Sequence, residues 1–177
     1  LPYFKKSEDN DTYNGEYHGK GGPLGVSMPS APLPICDAFI EAAGQVGIPK
    51  TTDANGAKQD GAGYYQLTQR NARRSSAAMA FLAPVKSRSN LTIQMQAQVR
   101  RIMVENGRAT GVEMADGTKI TADREVILSS GAIGSPRLLQ LSGIGPADDL
   151  KALGIDVMFD QPEVGANLQD HLDLYAI

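Results

Sequence analysis

One cysteine, Cys36, and no tryptophan occur in the 177 residues. A lone cysteine excludes an internal disulfide framework and fits a reducing compartment. The expected location is therefore the cytoplasm, with peripheral attachment to a membrane left open. No apolar run approaches the roughly 20 residues that a bilayer-spanning helix needs, and no signal peptide is visible. Basic excess is missing too: 17 Lys and Arg stand against 20 Asp and Glu, for a net charge of -3. Nucleic acid and anionic membrane surfaces are thereby disfavoured as partners. There is no Gly-x-Ser-x-Gly elbow to offer a hydrolase nucleophile, no Walker loop, no zinc-ligand spacing and no internal repeat. An initiating methionine is also absent, since the chain opens at Leu1-Pro2-Tyr3 and stops at Ala176-Ile177. We expect an internal piece of a larger protein.

What is present centres on Arg124 to Gly145, REVILSSGAIGSPRLLQLSGIG. The apolar run Glu125 to Leu128 predicts a strand buried on both faces. Small residues follow at Ser129-Ser130-Gly131-Ala132, where a backbone can pass close to another group. Ser135-Pro136 predicts a helix start, by serine capping and by proline at the first helical position. Leu138, Leu139 and Leu141 would form its buried face, and Gly143 and Gly145 its end. Strand, small-residue turn and helix N-terminus is the geometry in which α/β proteins hold a phosphate-bearing cofactor. By itself the pattern equally describes a packed crossover that binds nothing.

The remaining elements are read in chain order. Residues 1–34 are rich in turn formers and predict mostly loop, with a short strand at Leu24 to Ser27. Gly19-Lys20-Gly21-Gly22 fails the dinucleotide fingerprint, because Leu24 stands where a glycine is required. Ile35, Phe39, Ile40, Ala43 and Val46 have the spacing of an amphipathic helix closed by Gly47 and Pro49. Thr51 to Gly63 predicts a loop turning at Asn55-Gly56, and Tyr64 to Thr68 a strand. Ser75-Ser76 predicts a helix cap for Ala77 to Leu82. The pair Arg73-Arg74 reads as exposed residues leading into that helix, or as a phosphate contact. From Asn90 the pattern turns to strands: Leu91, Ile93 and Met95, then Val99 to Val104, Ala109 to Met114 and Lys119 to Ala122. Tight turns at Asn106-Gly107 and Asp116-Gly117 make a three-stranded meander of the last three. Pro146 to Leu153 predicts a helix leaving at Gly154, and Ile155 to Phe159 a strand. His171, beside Asp170 and Asp173, has no nitrogen or sulfur ligand near it in sequence, so a hydrogen-bonded structural histidine is expected rather than a metal site.

Gly131-Ala132, Ser135-Pro136, Leu138-Leu139 and Ser142-Gly143-Ile144-Gly145 resemble the second signature of the glucose–methanol–choline (GMC) flavoprotein oxidoreductases. Tyr17-His18-Gly19 with Gly22-Pro23-Leu24, the passage Asp53 to Leu82, Asn90 to Ile93, Ala97 to Ile102 and Gly165-Ala166-Asn167-Leu168-Gln169-Asp170-His171 resemble further segments of that family in the same order. The choline and alcohol dehydrogenase branch is the most similar.

The resemblance implies a mixed α/β (α+β) fold: part of a GMC-type FAD-binding domain with its β-meander, plus pieces of the substrate-binding domain. Residues 1–89 are assigned to the substrate side, 90–160 to the FAD-binding domain and 161–177 to a return towards the substrate domain. It further implies FAD as cofactor and hydride transfer from a small-molecule alcohol to flavin, giving an aldehyde or ketone, with oxygen, a quinone or another carrier as acceptor. Val99 is expected to present its backbone to the adenine, and Ser130, Gly131 and Ala132 to border the adenosine half. From the residues alone, Val99 is equally an ordinary strand valine. The family's catalytic histidine and its partner match no position here, so no catalytic residue is named, and His18 reads as structural. A non-redox member resembling the hydroxynitrile lyases and a non-catalytic binding domain on the same fold stay open as alternatives. No metal is expected.

Overall fold

The computed structural model describes residues 1–171 and divides the chain into two compact units, Leu1–Ile93 and a second that begins at Gln94. Among the described residues no helix is long and apolar enough to cross a membrane.

The first unit opens with α1 (Pro2–Ser7), β1 (Glu8–Asn10) and β2 (Leu24–Val26), where mostly loop was expected before Leu24. Pro2 suits a first turn, and Lys5 and Lys6 lie at the negative end of the dipole. Six residues are too few to show a helical period, so α1 left no readable pattern. β1 and β2 pair in parallel, Glu8 with Leu24 and Asn10 with Val26. α2 (Pro34–Gln45) forms where the periodicity predicts it and ends at Gly47, whose φ is 89°. Of its apolar stripe only Ala43 is buried, while Ile35, Phe39 and Val46 stand exposed.

The predicted strand over Tyr64 to Thr68 is reduced to one bridge, Leu67 with Ser27. Pairing continues instead in the hairpin β3 (Gln69–Arg70) and β4 (Arg73–Arg74). Asn71 and Ala72 turn it with φ of 52° and 57°, the backbone of a two-residue I′ turn. Alanine rarely adopts that conformation, so the turn carried no Asn-Gly signal. Arg73 and Arg74 therefore lie in a strand rather than leading into a helix, and both are exposed. Ser76 accepts the Met79 amide at 3.3 Å and starts a single π-helical turn over Ala78–Leu82. Ser75 is buried and accepts the Gly25 amide at 3.0 Å.

At the centre of this unit lies Asn10, with no exposed surface. Its amide nitrogen donates to Glu8 Oε1 and to Gln66 Oε1, both at 2.8 Å. Its oxygen accepts from the backbone amides of Thr12 and Tyr13 and from Gln66 Nε2. His18 is buried beside it and bridges two carboxylates, with Nδ1 3.2 Å from Glu8 Oε1 and Nε2 2.9 Å from Asp53 Oδ2. The Tyr13 ring covers the imidazole at 5.4 Å. Burial alone would discharge the ring, but the bonds to Asp53 and Glu8 outweigh it and raise the His18 pKa. Burial likewise works against charge on Glu8, yet the Gly19 amide, Asn10 and His18 hold its pKa below the ordinary value. His18 is thus a buried, hydrogen-bonded residue of this unit.

The second unit contains the predicted meander: β5 (Val99–Glu105), β6 (Arg108–Met114) and β7 (Lys119–Thr121), in that order and antiparallel. Asn106 and Gly107 turn the first hairpin with φ of 51° and 75°. In the second, Asp116 Oδ1 accepts the Thr118 amide at 2.9 Å. Glu113 is buried on the sheet and takes Arg101 Nη2 at 2.7 Å and Arg100 Nη1 at 3.3 Å. The Arg101 hydrogen bond chiefly holds its carboxyl below the ordinary range. Leu91 to Met95 is not a strand, and neither is Glu125 to Leu128. No strand among the described residues pairs with the latter, which leaves Val126 and Leu128 half-buried and Ile127 exposed. A both-faces-buried strand needs neighbours on each side, and sequence pattern cannot report whether they are there.

α3 (Gly131–Leu141), β8 (Ile144–Gly145), α4 (Ala147–Ala152) and β9 (Phe159–Asp160) complete the unit. Asp148 and Asp149 occupy the first turn of α4, and Leu150 beneath them is the most deeply buried apolar residue described. β8 pairs in parallel with β9, so the strand expected from Ile155 is confined to its last residue and the next. Gly145 belongs to β8 and does not end α3.

Two outcomes follow for the first unit. Asn10→Leu strands the Thr12 and Tyr13 amides and the Gln66 side chain, and should cost about 3 kcal/mol in urea unfolding. The raised His18 pKa makes its contribution complete below the unfolded value near 6.5, and lost as pH rises through the higher folded value. Denaturation midpoints of wild type should therefore fall over that alkaline interval, while those of His18→Gln stay level. Parallel curves would refute the clamp.

Candidate functional site

α3 begins one turn earlier than Ser135-Pro136 predicts. Ser130 is its N-cap residue, Gly131 carries a φ of 84°, and Pro136 lies inside the helix. Ser135 does not cap the start: its hydroxyl accepts the backbone amide of Ser130 at 3.0 Å. That bond folds the small-residue turn onto the helix. Pro136 removes the amide that would have reached the Ala132 carbonyl, so the opening turn keeps unused backbone polar groups. No side chain caps the N-terminus of α3. A Cβ built on Gly131 would meet nothing within 4 Å, so this point is open.

At the other end the chain is closely held. Ser142 is buried; its hydroxyl accepts the Ile102 amide of β5 at 2.8 Å and donates to the Leu138 carbonyl at 2.6 Å. Gly143 follows with a φ of 81°, and a Cβ there would run into the Asp156 carbonyl. Only glycine meets both conditions, which explains the Ser-Gly pair at the C-terminus of the helix.

Between the base of the meander and α3 lies a cleft of about 460 Å³. Val99 and Gln98 border it on the strand side, and Ser130, Gly134, Leu138 and Leu141 on the helix side. Val99, at the start of β5, pairs with Met114. The fold thus brings Val99 and Ser130, far apart in sequence, to one cavity. Ala132 lies elsewhere: it borders a second cleft of about 290 Å³ with Pro136, Gln140, Gly165 and Leu168. Gln140 Nε2 donates to the Val164 carbonyl at 3.0 Å and holds that loop against the helix. Gly131 separates the two clefts in sequence and borders neither.

Leu138, Leu139 and Leu141 do not form a closed core face, since no residue of α3 is fully buried. Leu138 and Leu141 instead wall the first cleft. The spacing of Ser130, Gly134, Leu138 and Leu141 is that of a single helix face. That spacing is present in the sequence, but only Leu138, Leu139 and Leu141 were assigned to a face. His171 is exposed, and its hydrogen bond is made by its backbone amide to Asp170 Oδ1 at 2.8 Å. Among the described residues its ring makes none, so the hydrogen-bonded role expected of it is not seen. Asp173 lies outside the described residues.

Comparison with known proteins agrees with this architecture. The chain is 47% identical to the human (Homo sapiens) mitochondrial choline dehydrogenase over 178 aligned residues, which cover 99% of this chain and 30% of that protein. It thus spans about a third of the length of the curated relatives it matches. Pyridoxine 4-oxidase from Mesorbium loti superposes with a TM-score of 0.83 at 37% identity, over 92% of this chain and 33% of that one. An FAD-dependent oxidoreductase from Chaetomium thermophilum gives 0.79 at 33% identity, over 92% and 31%. The family described as GMC oxidoreductase matches residues 1–173. With that span and these relatives, the chain belongs to the GMC oxidoreductases.

Proposed function

We propose that the protein carrying this chain is an FAD-dependent oxidoreductase acting on the CH-OH group of a small alcohol, with choline as the first substrate to test. The observation that carries the cofactor reading is the cleft shared by Val99 and Ser130. Its walls fit an adenosine half. Leu138 and Leu141 offer apolar surface to a flat ring system, and a strand edge begins at Val99. The uncapped start of α3 leaves amides free for polar groups of the ligand. Gly131 is open, and its absent side chain leaves room for close approach. When bound, FAD would supply the hydride-accepting ring for oxidation of an alcohol to an aldehyde or ketone.

In this reading Val99, Ser130 and Gly131 hold and orient the adenosine end, and Ala132 borders it from the neighbouring cleft. Residues 1–89 belong to the substrate side, 90–160 to the FAD-binding domain and 161–177 to the return towards the substrate domain. The alcohol is supported by the name of the human relative, choline dehydrogenase. Oxygen, a quinone or another carrier would serve as acceptor. A cytoplasmic location is supported only by the unpaired Cys36.

The test uses the full-length protein. Its absorbance should show flavin bands, and choline should bleach them and reduce a dye acceptor. Val99 and Ala132 border the two clefts, so a bulky side chain at either takes up ligand space, and Val99→Phe and Ala132→Leu should each raise the FAD dissociation constant about tenfold. Binding of FMN, which lacks the adenosine monophosphate half, should not change. Undiminished FAD affinity in both variants would remove these residues from the cofactor site, and a colourless wild-type protein would end the redox reading.

A further inference from the structure

We infer that Ser142 is a positioning residue for the adenosine end of the cofactor, an inference that rests on the reading above. β5 is an edge strand of the meander, bonded to β6 on one side only. On its free side the Ile102 amide reaches past the sheet to Ser142 Oγ at 2.8 Å. The same hydroxyl donates to the Leu138 carbonyl at 2.6 Å. Among the described residues this is the sole hydrogen-bonded connection between β5 and the segment formed by α3 and its C-cap. It lies three residues along β5 from Val99 and one turn along α3 from Leu138.

The strand is irregular just where this matters. Register shifts between Val99 and Arg101, so Arg100 lies at a bulge, and the ladder to β6 alone does not set how the start of β5 lies against the helix. Ser142 supplies the missing constraint. One short side chain must accept from a strand amide and donate to a helix carbonyl together, which a hydroxyl does and an aliphatic group cannot. Ser142 is 5% exposed, so water does not replace the bond when it is lost. Without the hydroxyl, β5 and α3 separate at the base and the Val99 to Ser130 slot widens. Ser142 touches neither the slot nor, on this reading, the cofactor. It acts through Ile102 and Leu138.

The experiment compares FAD and FMN binding to full-length apoprotein by fluorescence quenching. Ser142→Ala should raise the FAD dissociation constant about tenfold, as loss of one buried hydrogen bond implies, and leave FMN within twofold. Ser142→Thr, which keeps the hydroxyl, should restore the FAD-to-FMN ratio. Equal weakening for both flavins in Ser142→Ala would show a merely structural serine and overturn the inference. If Val99→Phe and Ala132→Leu weaken FAD but Ser142→Ala does not, the inference fails while the cofactor reading stands. If none of the three does, the cofactor reading itself fails. A measurement on wild type needs no variant to fold: FAD should slow hydrogen exchange at the Ile102 amide at least fivefold, and FMN should not. Equal exchange with both flavins would overturn the proposal.

Discussion

Asn10 has no exposed surface, and all its amide capacity is met within the protein. It joins β1, the Thr12-Tyr13 turn and Gln66, and the Glu8 to His18 to Asp53 bridge is built against it. The first unit depends on this cluster because it has little else inside. Its buried apolar residues are Ala43 and Ala80, both small. At roughly 25 cal/mol per Å², two alanines contribute little, so satisfied polar groups must define the fold.

The second unit solves the same problem with one hydroxyl. Ile102, Met114 and Leu150 are buried there, but α3 contributes no buried side chain. Ser142 therefore supplies the hydrogen bond that joins the helix segment to β5, and Gly143 allows the chain to leave without colliding with Asp156. A helix free of core duty along one face can wall a cleft, which is what Leu138 and Leu141 do. Architecture and candidate site thus have one origin.

Exposed apolar groups repeat the theme. Ile35 and Phe39 on α2, Val46 at its C-cap and Ile127 before α3 all stand open. Their sequence patterns predicted burial because periodicity reports which face of an element is apolar. It does not report whether anything lies against that face. For Glu125 to Leu128 the same gap leaves a predicted strand without a strand partner among the described residues.

Local rules were legible wherever backbone chemistry decides alone. Asn106-Gly107 and Asp116-Gly117 bound the strands of the meander, the α2 stripe and Gly47 bounded its helix, and Pro146 with the following aspartates began α4, all readable from residue type. The family was legible as well, from the spaced identities around Gly131 and Ser142. Tertiary structure decided the rest. It brought Val99 to Ser130, sent Ala132 to a different cleft and gave Ser135 to the Ser130 amide. Those outcomes depend on contacts and hydrogen bonds that form only in the folded chain, and the β3–β4 turn depends on a φ of 57° at Ala72 that its residue type disfavours. A one-dimensional pattern carries neither, because both exist only when the remote partner is in place.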